Sequence, residues 1–345
     1  MFVWGAKGAR RGTVLSSDFS NKTLVGVSWS LLSKVVVGAL QLAQVIILTR
    51  FLGSEEFGLM AIIMVVVGAC SILSDAGISR AIIVFRELNA SQLSTLYWLN
   101  ILLGGGIFAA IYLASPIVSS NYDADLTLPL RLTAVTFLIT ATSNQFKMRM
   151  EKEFLFEKIG KIEVLAAVIS FLIAWTLALK GYGVYSLVYS YIAGVFVSSL
   201  LIIVSYRERL DISLYFNLRS LKEPIKFGFY QVGERLINYF SSQFDVVIIG
   251  ALLGLEVLGL YSVAKNLVNR PLQIITPSIS RAMLPLFSRL ADDRVLLSRK
   301  YLQTIRSVTT LLFCVWGAAA VFSSELFAIL FDESWQRSSY LFGIL

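Results

Sequence analysis

The chain is a succession of apolar runs, each about as long as a bilayer is thick. A helix needs roughly 20 mostly apolar residues to cross the hydrocarbon. Spans of that kind are expected at 24–50, 57–77, 95–115, 126–146, 160–180, 183–206, 226–251, 257–284 and 302–330, with a tenth starting near Ser338. Short links at 51–56, 180–183 and 252–256 read as tight turns of helical hairpins. Composition agrees: 57% of residues are hydrophobic, 15% are charged, and mean hydropathy is +0.74. A soluble domain is about 45–50% apolar and about 25% charged, so one soluble core could not hide this much apolar surface. The fold class is all-α, a polytopic membrane protein.

A repeat organises these spans. Leu52 to Leu59 reads LGSEEFGL, and Leu253 to Leu260 reads LGLEVLGL, at an offset of 201 positions. At the same offset, Ile78-Ser79-Arg80-Ala81 recurs as Ile279-Ser280-Arg281-Ala282. Two matches in one register predict an internal duplication, and duplicated helical halves are the build of two-lobed transporters. The expected organisation is a cytoplasmic tail at 1–23, a six-helix lobe at 24–206, a cytoplasmic linker at 207–225 and a second lobe at 226–345. Six spans return the chain to the side it started from, so the two copies should be parallel repeats about an axis along the membrane normal. The second copy would be incomplete in this chain, which suggests a fragment or a truncated product.

The charges set the orientation. Lys7, Arg10, Arg11 and Lys22 in the tail share a side with the Lys- and Arg-rich loops 78–94, 147–161, 206–226 and 281–300. The opposite side holds only Arg50, Lys180 and Arg337, beside Asp123, Asp125, Glu256, Asp332 and Glu333. Positive residues stay in the cytoplasm, so the N-terminus is expected there. The basic N-terminal stretch has no apolar run before Lys22, which argues against a cleavable signal peptide. The net charge of +8 therefore reflects loop topology, and no nucleic-acid partner is expected. The chain lacks His, and Cys70 and Cys314 sit in separate apolar spans. They read as small buried hydrophobes, and neither a metal site, a cofactor nor a disulfide is expected.

Polar residues inside spans are costly in hydrocarbon and should face a cavity or a partner. In the first span Ser30, Lys34, Gln41 and Gln44 fall within roughly 80° of arc at 100° per residue. In the seventh, Gln231, Glu234, Asn238, Ser241, Ser242 and Asp245 share an arc of roughly 100°. The eighth carries Ser262, Lys265, Asn266, Asn269, Gln273, Thr276 and Ser280. Three such stripes predict a wet internal surface. The repeat pairs Lys34 with Arg235, and two cations between lobes would attract a phosphate or pyrophosphate. The alternative is that they neutralise Glu234 or Asp245 in structural ion pairs. Lys265 and Arg270 would extend the basic surface, unless they snorkel or pair internally. Pro271 and Pro277 should kink the eighth span.

Other motifs point to packing. Asp123-Ala124-Asp125 resembles a glycosyltransferase metal motif but lies in a short loop without a donor-binding domain. Gly104-Gly105-Gly106 is inside a span and reads as a close-packing site. Phe146 to Ile159 is charged and amphipathic, as expected of a helix end lying on the bilayer surface.

The basic tail leading into 23–50, the LGxxxxGL turn, Thr95-Leu96-Tyr97-Trp98-Leu99-Asn100 and Lys152 to Glu163 (KEFLFEKIGKIE) together resemble the colanic-acid-type exporters. Asp245 to Leu260, Pro271 to Pro285 and Ala291-Asp292-Asp293 fit the same pattern, so the resemblance covers about residues 20–345. That family is the polysaccharide transporter branch of the multidrug/oligosaccharidyl-lipid/polysaccharide (MOP) superfamily, which includes O-antigen flippases. The resemblance implies two six-helix lobes around a cavity lined by spans one, two, seven and eight. It implies a flippase of the bacterial inner membrane that moves undecaprenyl-diphosphate-linked oligosaccharide by alternating access, for exopolysaccharide, capsule or O-antigen. Partners would be the lipid-linked oligosaccharide, membrane lipid, and a polysaccharide polymerase and chain-length regulator.

On that reading Lys34, Arg235, Lys265 and Arg270 would hold the diphosphate. Ser30, Gln41, Gln44, Gln231, Glu234, Asn238, Asp245, Asn266, Asn269 and Gln273 would solvate the sugars. Two readings compete. A multidrug or cation antiporter of the same fold would favour an acidic cavity. A membrane-embedded glycan polymerase or acyltransferase would need a large outer loop or an intramembrane His.

Overall fold

The computed structural model describes residues 29–75, 89–122, 124–206, 213–217, 221–290 and 293–345, and these form helices joined by turns. In chain order they are α1 (Trp29–Leu48), α2 (Ser54–Asp75), α3 (Ala90–Ser119), α4 (Thr127–Lys152), α5 (Phe156–Leu179) and α6 (Val184–Tyr206). A long helical stretch, Lys222–Arg289, breaks at Gly254 into α7 (222–253) and α8 (255–289). After it come α9 (Arg294–Val321), α10 (Ser323–Leu330), a 3-10 turn at Glu333–Trp335 and α11 (Gln336–Ile344). Seven helices among the described residues are long and apolar enough to cross a membrane, the one at Tyr230–Gln273 spanning both arms of the broken stretch. Large apolar side chains such as Leu113, Ile117, Ile237 and Phe244 are exposed, as lipid-facing residues should be.

Glycines make the turns. Gly181 (φ 75°), Gly183 (φ 54°) and Gly254 (φ 82°) adopt the left-handed region that side chains disfavour. The break at Gly254 falls within the turn expected at 252–256, and the backbone stays helical through Pro271 and Pro277, where a kink was expected. The expected 302–330 span is likewise two helices, because α9 ends at Val321 and α10 begins at Ser323.

These turns meet at one end of the bundle, here called the hairpin end. A side chain at Gly183 would lie 3.7 Å from Glu56 Oε1. More telling is a reciprocal pair of contacts. A Cβ on Gly58 would land on the Leu255 carbonyl oxygen, and a Cβ on Gly259 would land on the Ser54 carbonyl oxygen. Adding 201 to positions 58 and 54 gives 259 and 255, so the two contacts are the same contact seen from each copy. The backbones of α2 and α8 therefore cross about a pseudo-two-fold axis, and glycine permits that closeness. The second repeated tetrapeptide offers no such test, since Ile78 to Ala81 lie outside the described residues.

Around this crossing two apolar clusters form. Ile62, Ile63, Val67, Leu130, Phe137, Val246, Leu258 and Tyr261 join α2, α4, α7 and α8. Leu48, Leu52, Phe57, Leu260, Phe327, Phe331, Trp335 and Phe342 cap the hairpin end. Trp335 is 1% exposed, packs edge-on to Phe57 at 5.2 Å and donates its Nε1–H to the Thr49 carbonyl at 3.0 Å. The C-terminal helices are thereby pinned to the end of α1.

The other end of the bundle is held by a corner and by the linker. The Phe146–Ile159 stretch is a tight corner between α4 and α5, with Phe154 at φ 58°. Phe146, Met150 and Ile159 are buried against Ile162, Ile202 and Tyr206, while Glu153, Phe154, Glu157 and Lys158 are exposed, so the segment is amphipathic with its apolar face packed inward. The described part of the linker is stitched to α3. Ser213 N–H donates to Ser94 Oγ (3.0 Å), Asn217 N–H to Thr95 Oγ1 (3.2 Å), and Trp98 Nε1–H to the Ser213 carbonyl (3.1 Å).

Of the three adjacent glycines only Gly104 is a packing site; its Cβ would lie 2.7 Å from Ala141 Cβ, whereas Gly105 and Gly106 face open space. Asp125, just before α4, accepts the Thr127 N–H at 2.9 Å, and that bond holds its carboxyl below the usual range. Asp123 lies outside the described residues. Cys70 and Cys314 are free thiols, Cys70 half-buried; Cys314 is exposed, against the expectation that both are buried.

Candidate functional site: a polar cavity between two repeats

A cavity of about 410 Å³ lies beneath the hairpin end, between α1 and α2 on one side and α7 and α8 on the other. Those are the four spans that the family resemblance implies. Ser170 of α5 with Leu187, Ser190 and Tyr191 of α6 complete the wall. Leu48 and Phe57 line it near the hairpin end, where the apolar cap closes it, and it extends along α8 as far as Gln273.

The sequence stripes map unevenly onto this wall. From α1, Gln41 and Gln44 line it. Lys34 is exposed about two turns nearer the other end, and Ser30 is half-buried beyond it. The α8 stripe lines it as expected, through Lys265, Asn266, Asn269, Arg270 and Gln273, joined by Ser262.

In α7 the stripe faces elsewhere. The residues that line the cavity are Tyr239, Gln243 and Val246, whose face is roughly 120° around the helix from the expected arc. Glu234 and Asn238 are exposed, and Gln231 and Arg235 are half-buried; none of them lines the cavity. The Tyr239 hydroxyl spans to α2, donating toward the Met64 and Val65 carbonyls at 3.2 and 3.0 Å. Its amphipathic ring sets it outside the stripe of plainly polar side chains. Gln243 was missed because it sits outside the arc that its more numerous polar neighbours define.

The charges are arranged as follows. Lys265 Nζ lies 2.8 and 2.7 Å from the two Asp245 carboxylate oxygens, and donates to the Ser242 carbonyl at 3.0 Å. The Tyr261 hydroxyl donates to the same carboxylate, and the Lys265 ammonium lies 5.8 Å from the Tyr261 ring centroid. Lys265 is therefore internally paired, one of the two readings open from sequence. Arg270 donates from Nη1 to Gln41 Oε1, joining α8 to α1 across the cavity. Among the residues lining the cavity, Lys265 and Arg270 are charged and none is a carboxylate.

The Asp245–Lys265 pair is testable. Lys265→Met should cost about 1–2 kcal/mol of stability, less than the 3–5 of a sealed pair because the Asp245 side chain is 38% exposed. Asp245→Asn in the same chain should restore most of the loss. Denaturant unfolding in detergent reads both, and a double variant no more stable than the single one would refute the pairing.

Geometry and composition thus define a two-lobed, multi-pass helical membrane protein built around a polar cavity. The chain belongs to the family described as "Polysaccharide biosynthesis protein", which matches residues 47–340. It is 29% identical to lipopolysaccharide biosynthesis protein WzxC of Escherichia coli (strain K12), over 91% of this chain and 64% of that protein. It is 27% identical to teichuronic acid biosynthesis protein TuaB of Bacillus subtilis (strain 168), over 95% and 68%. It is 25% identical to succinoglycan biosynthesis transport protein ExoT of Rhizobium meliloti (strain 1021), over 92% and 64%. The chain thus spans about two-thirds of the length of these relatives. Its fold matches that of a multidrug resistance MATE family transporter of the MOP superfamily in an inward-facing conformation, with TM-score 0.62 and 16% identity over 93% of this chain and 79% of that one.

Proposed function

We infer that the protein moves lipid-linked oligosaccharide, of the polyprenyl-diphosphate type, across the bacterial inner membrane for polysaccharide synthesis. The observation that carries this reading is the cavity between repeats, polar along α8 and sealed at the hairpin end by buried apolar residues. Alternating access follows if the crossing of α2 and α8 opens while the opposite ends close. The hairpin end faces the periplasm and the N-terminus lies in the cytoplasm, in line with the loop charges.

Membership of a polysaccharide-biosynthesis family supports a glycan cargo, and a relative named as a succinoglycan biosynthesis transport protein supports movement of it. Arg270 supplies positive charge at the wall, Lys265 being paired with Asp245, whereas Lys34 and Arg235 would guide an anionic headgroup at the mouth. A polymerase and a chain-length regulator would act on the delivered units. A cation antiporter is disfavoured, because Asp245, the carboxylate bonded to the wall residue Lys265, is already neutralised by it.

Glycan export in cells that depend on this protein tests the reading. Lys34→Glu with Arg235→Glu should lower export several-fold by repelling the headgroup at the entrance, at unchanged protein level. Full export in both single variants and the pair removes those two cations from the account. Full export in cells lacking the protein altogether removes the function.

A further inference from the structure

The repeat makes α2 and α8 counterparts, and the cavity treats them oppositely. Every α8 residue at the wall is polar: Ser262, Lys265, Asn266, Asn269, Arg270 and Gln273. Their counterparts 201 positions earlier are Ala61, Met64, Val65, Gly68, Ala69 and Ile72, none of them polar. The α2 residues that do line the cavity, Phe57, Met60, Ala61, Met64 and Val65, are all apolar. The α1 and α7 pair shows no such split, since Gln41 and Gln44 face Tyr239, Gln243 and Val246. The duplication has kept the backbone symmetric, as the reciprocal glycine contacts show, while making one wall wet and the other dry.

A dry wall of two methionines, a phenylalanine and a valine suits a flexible hydrocarbon, because the unbranched thioether adapts to irregular apolar shapes. A wet wall must find partners for its amides. Among the described residues neither Asn266 nor Asn269 has a side-chain hydrogen-bond partner, so both amides are available to a ligand. One molecule satisfies both walls only if it is itself two-sided.

We propose that the cavity divides its cargo between the repeats: α8 binds the anionic, hydroxyl-rich head, and α2 binds the first isoprene units of the chain. This rests on the lipid-linked cargo proposed above and sharpens it to a polarity of binding. The head stays on α8 and the chain stays on α2 toward the surrounding lipid.

Calorimetric titration of the purified full chain in nanodiscs, with inorganic pyrophosphate and with farnesyl diphosphate as probes, separates the two walls. Farnesyl diphosphate should bind more tightly than pyrophosphate, because burying methylenes adds affinity. Asn266→Val with Asn269→Ala should weaken both probes about tenfold, the scale of lost hydrogen bonds to a charged group. Met64→Gln with Val65→Asn should leave pyrophosphate affinity within about twofold and weaken farnesyl diphosphate about tenfold, erasing most of the tail's advantage. If that α2 pair fails to fold, Met60→Ala should show the same pattern at about threefold. Equal weakening of both probes by both sets of changes overturns the division while leaving the lipid-diphosphate cargo standing. Failure of the wild-type chain to bind either probe overturns that cargo, and the division with it.

Discussion

Replacing Gly58 or Gly259 with alanine is expected to destabilise the protein by about 3 kcal/mol in either position, the upper end of the range for overpacking. At each site the added methyl group would land on a backbone carbonyl oxygen of the other repeat, Leu255 or Ser54. A carbonyl cannot rotate away as a side chain can, so the helices themselves must part. The two losses should be close in size, because the repeat makes them one contact seen twice. Gly105→Ala is the control: nothing lies within 4 Å of its Cβ, and alanine favours a helix by about 1 kcal/mol. Thermal or denaturant unfolding in detergent reads all three. If Gly58→Ala and Gly259→Ala behave like Gly105→Ala, the crossing is not a close contact and the symmetric closure is wrong.

Trp335→Ala should cost as much or more, about 3–5 kcal/mol, as for other large aromatic residues removed from a packed core. The ring is 1% exposed and sits in the apolar cap with Phe57, Phe327, Phe331 and Phe342. Trp335→Phe keeps most of that packing and loses the bond from Nε1 to the Thr49 carbonyl, a cost of about 1 kcal/mol. A graded series, wild type above Phe above Ala, is the expected unfolding result. Equal losses for Phe and Ala would mean that the hydrogen bond, and not the packing, holds the cap. A loss under about 1 kcal/mol for Ala would mean that the cap contributes little to closing the hairpin end.

The features legible in the sequence were those set by one-dimensional periodicity. Runs of apolar residues gave most of the helices to within about six residues, but not the break at Phe322 that divides the expected 302–330 span. The turns expected at 180–183 and 252–256 fall at Gly181, Gly183 and Gly254, and the LGxxxxGL repeat marked a duplication whose copies meet at Gly58 and Gly259, a crossing that the sequence did not show. The α8 face was legible because its polar residues are spaced for one side of a helix. The α7 face was not: Asn238, Ser241 and Ser242, all exposed, outnumber the two polar residues that line the cavity, Tyr239 and Gln243. A helical wheel reports where polar residues gather but not which way that face turns.

The α2 wall was silent for a different reason. Methionine and valine at a cavity look the same in sequence as methionine and valine in a core, so only the structure places Met60 and Met64 opposite Lys265. The stitching of the linker to α3 was likewise hidden, since Ser94, Thr95 and Trp98 bind backbone groups more than a hundred residues away.

The most direct test of the central claim is transport itself. The full chain is reconstituted into vesicles whose inner leaflet carries a polyprenyl-diphosphate-linked oligosaccharide, and exposure of the sugar to an added lectin is followed in time. The account predicts that lectin binding rises faster in vesicles containing the protein than in protein-free vesicles, and that Asn266→Val with Asn269→Ala slows the rise. Identical time courses with and without the protein would contradict it.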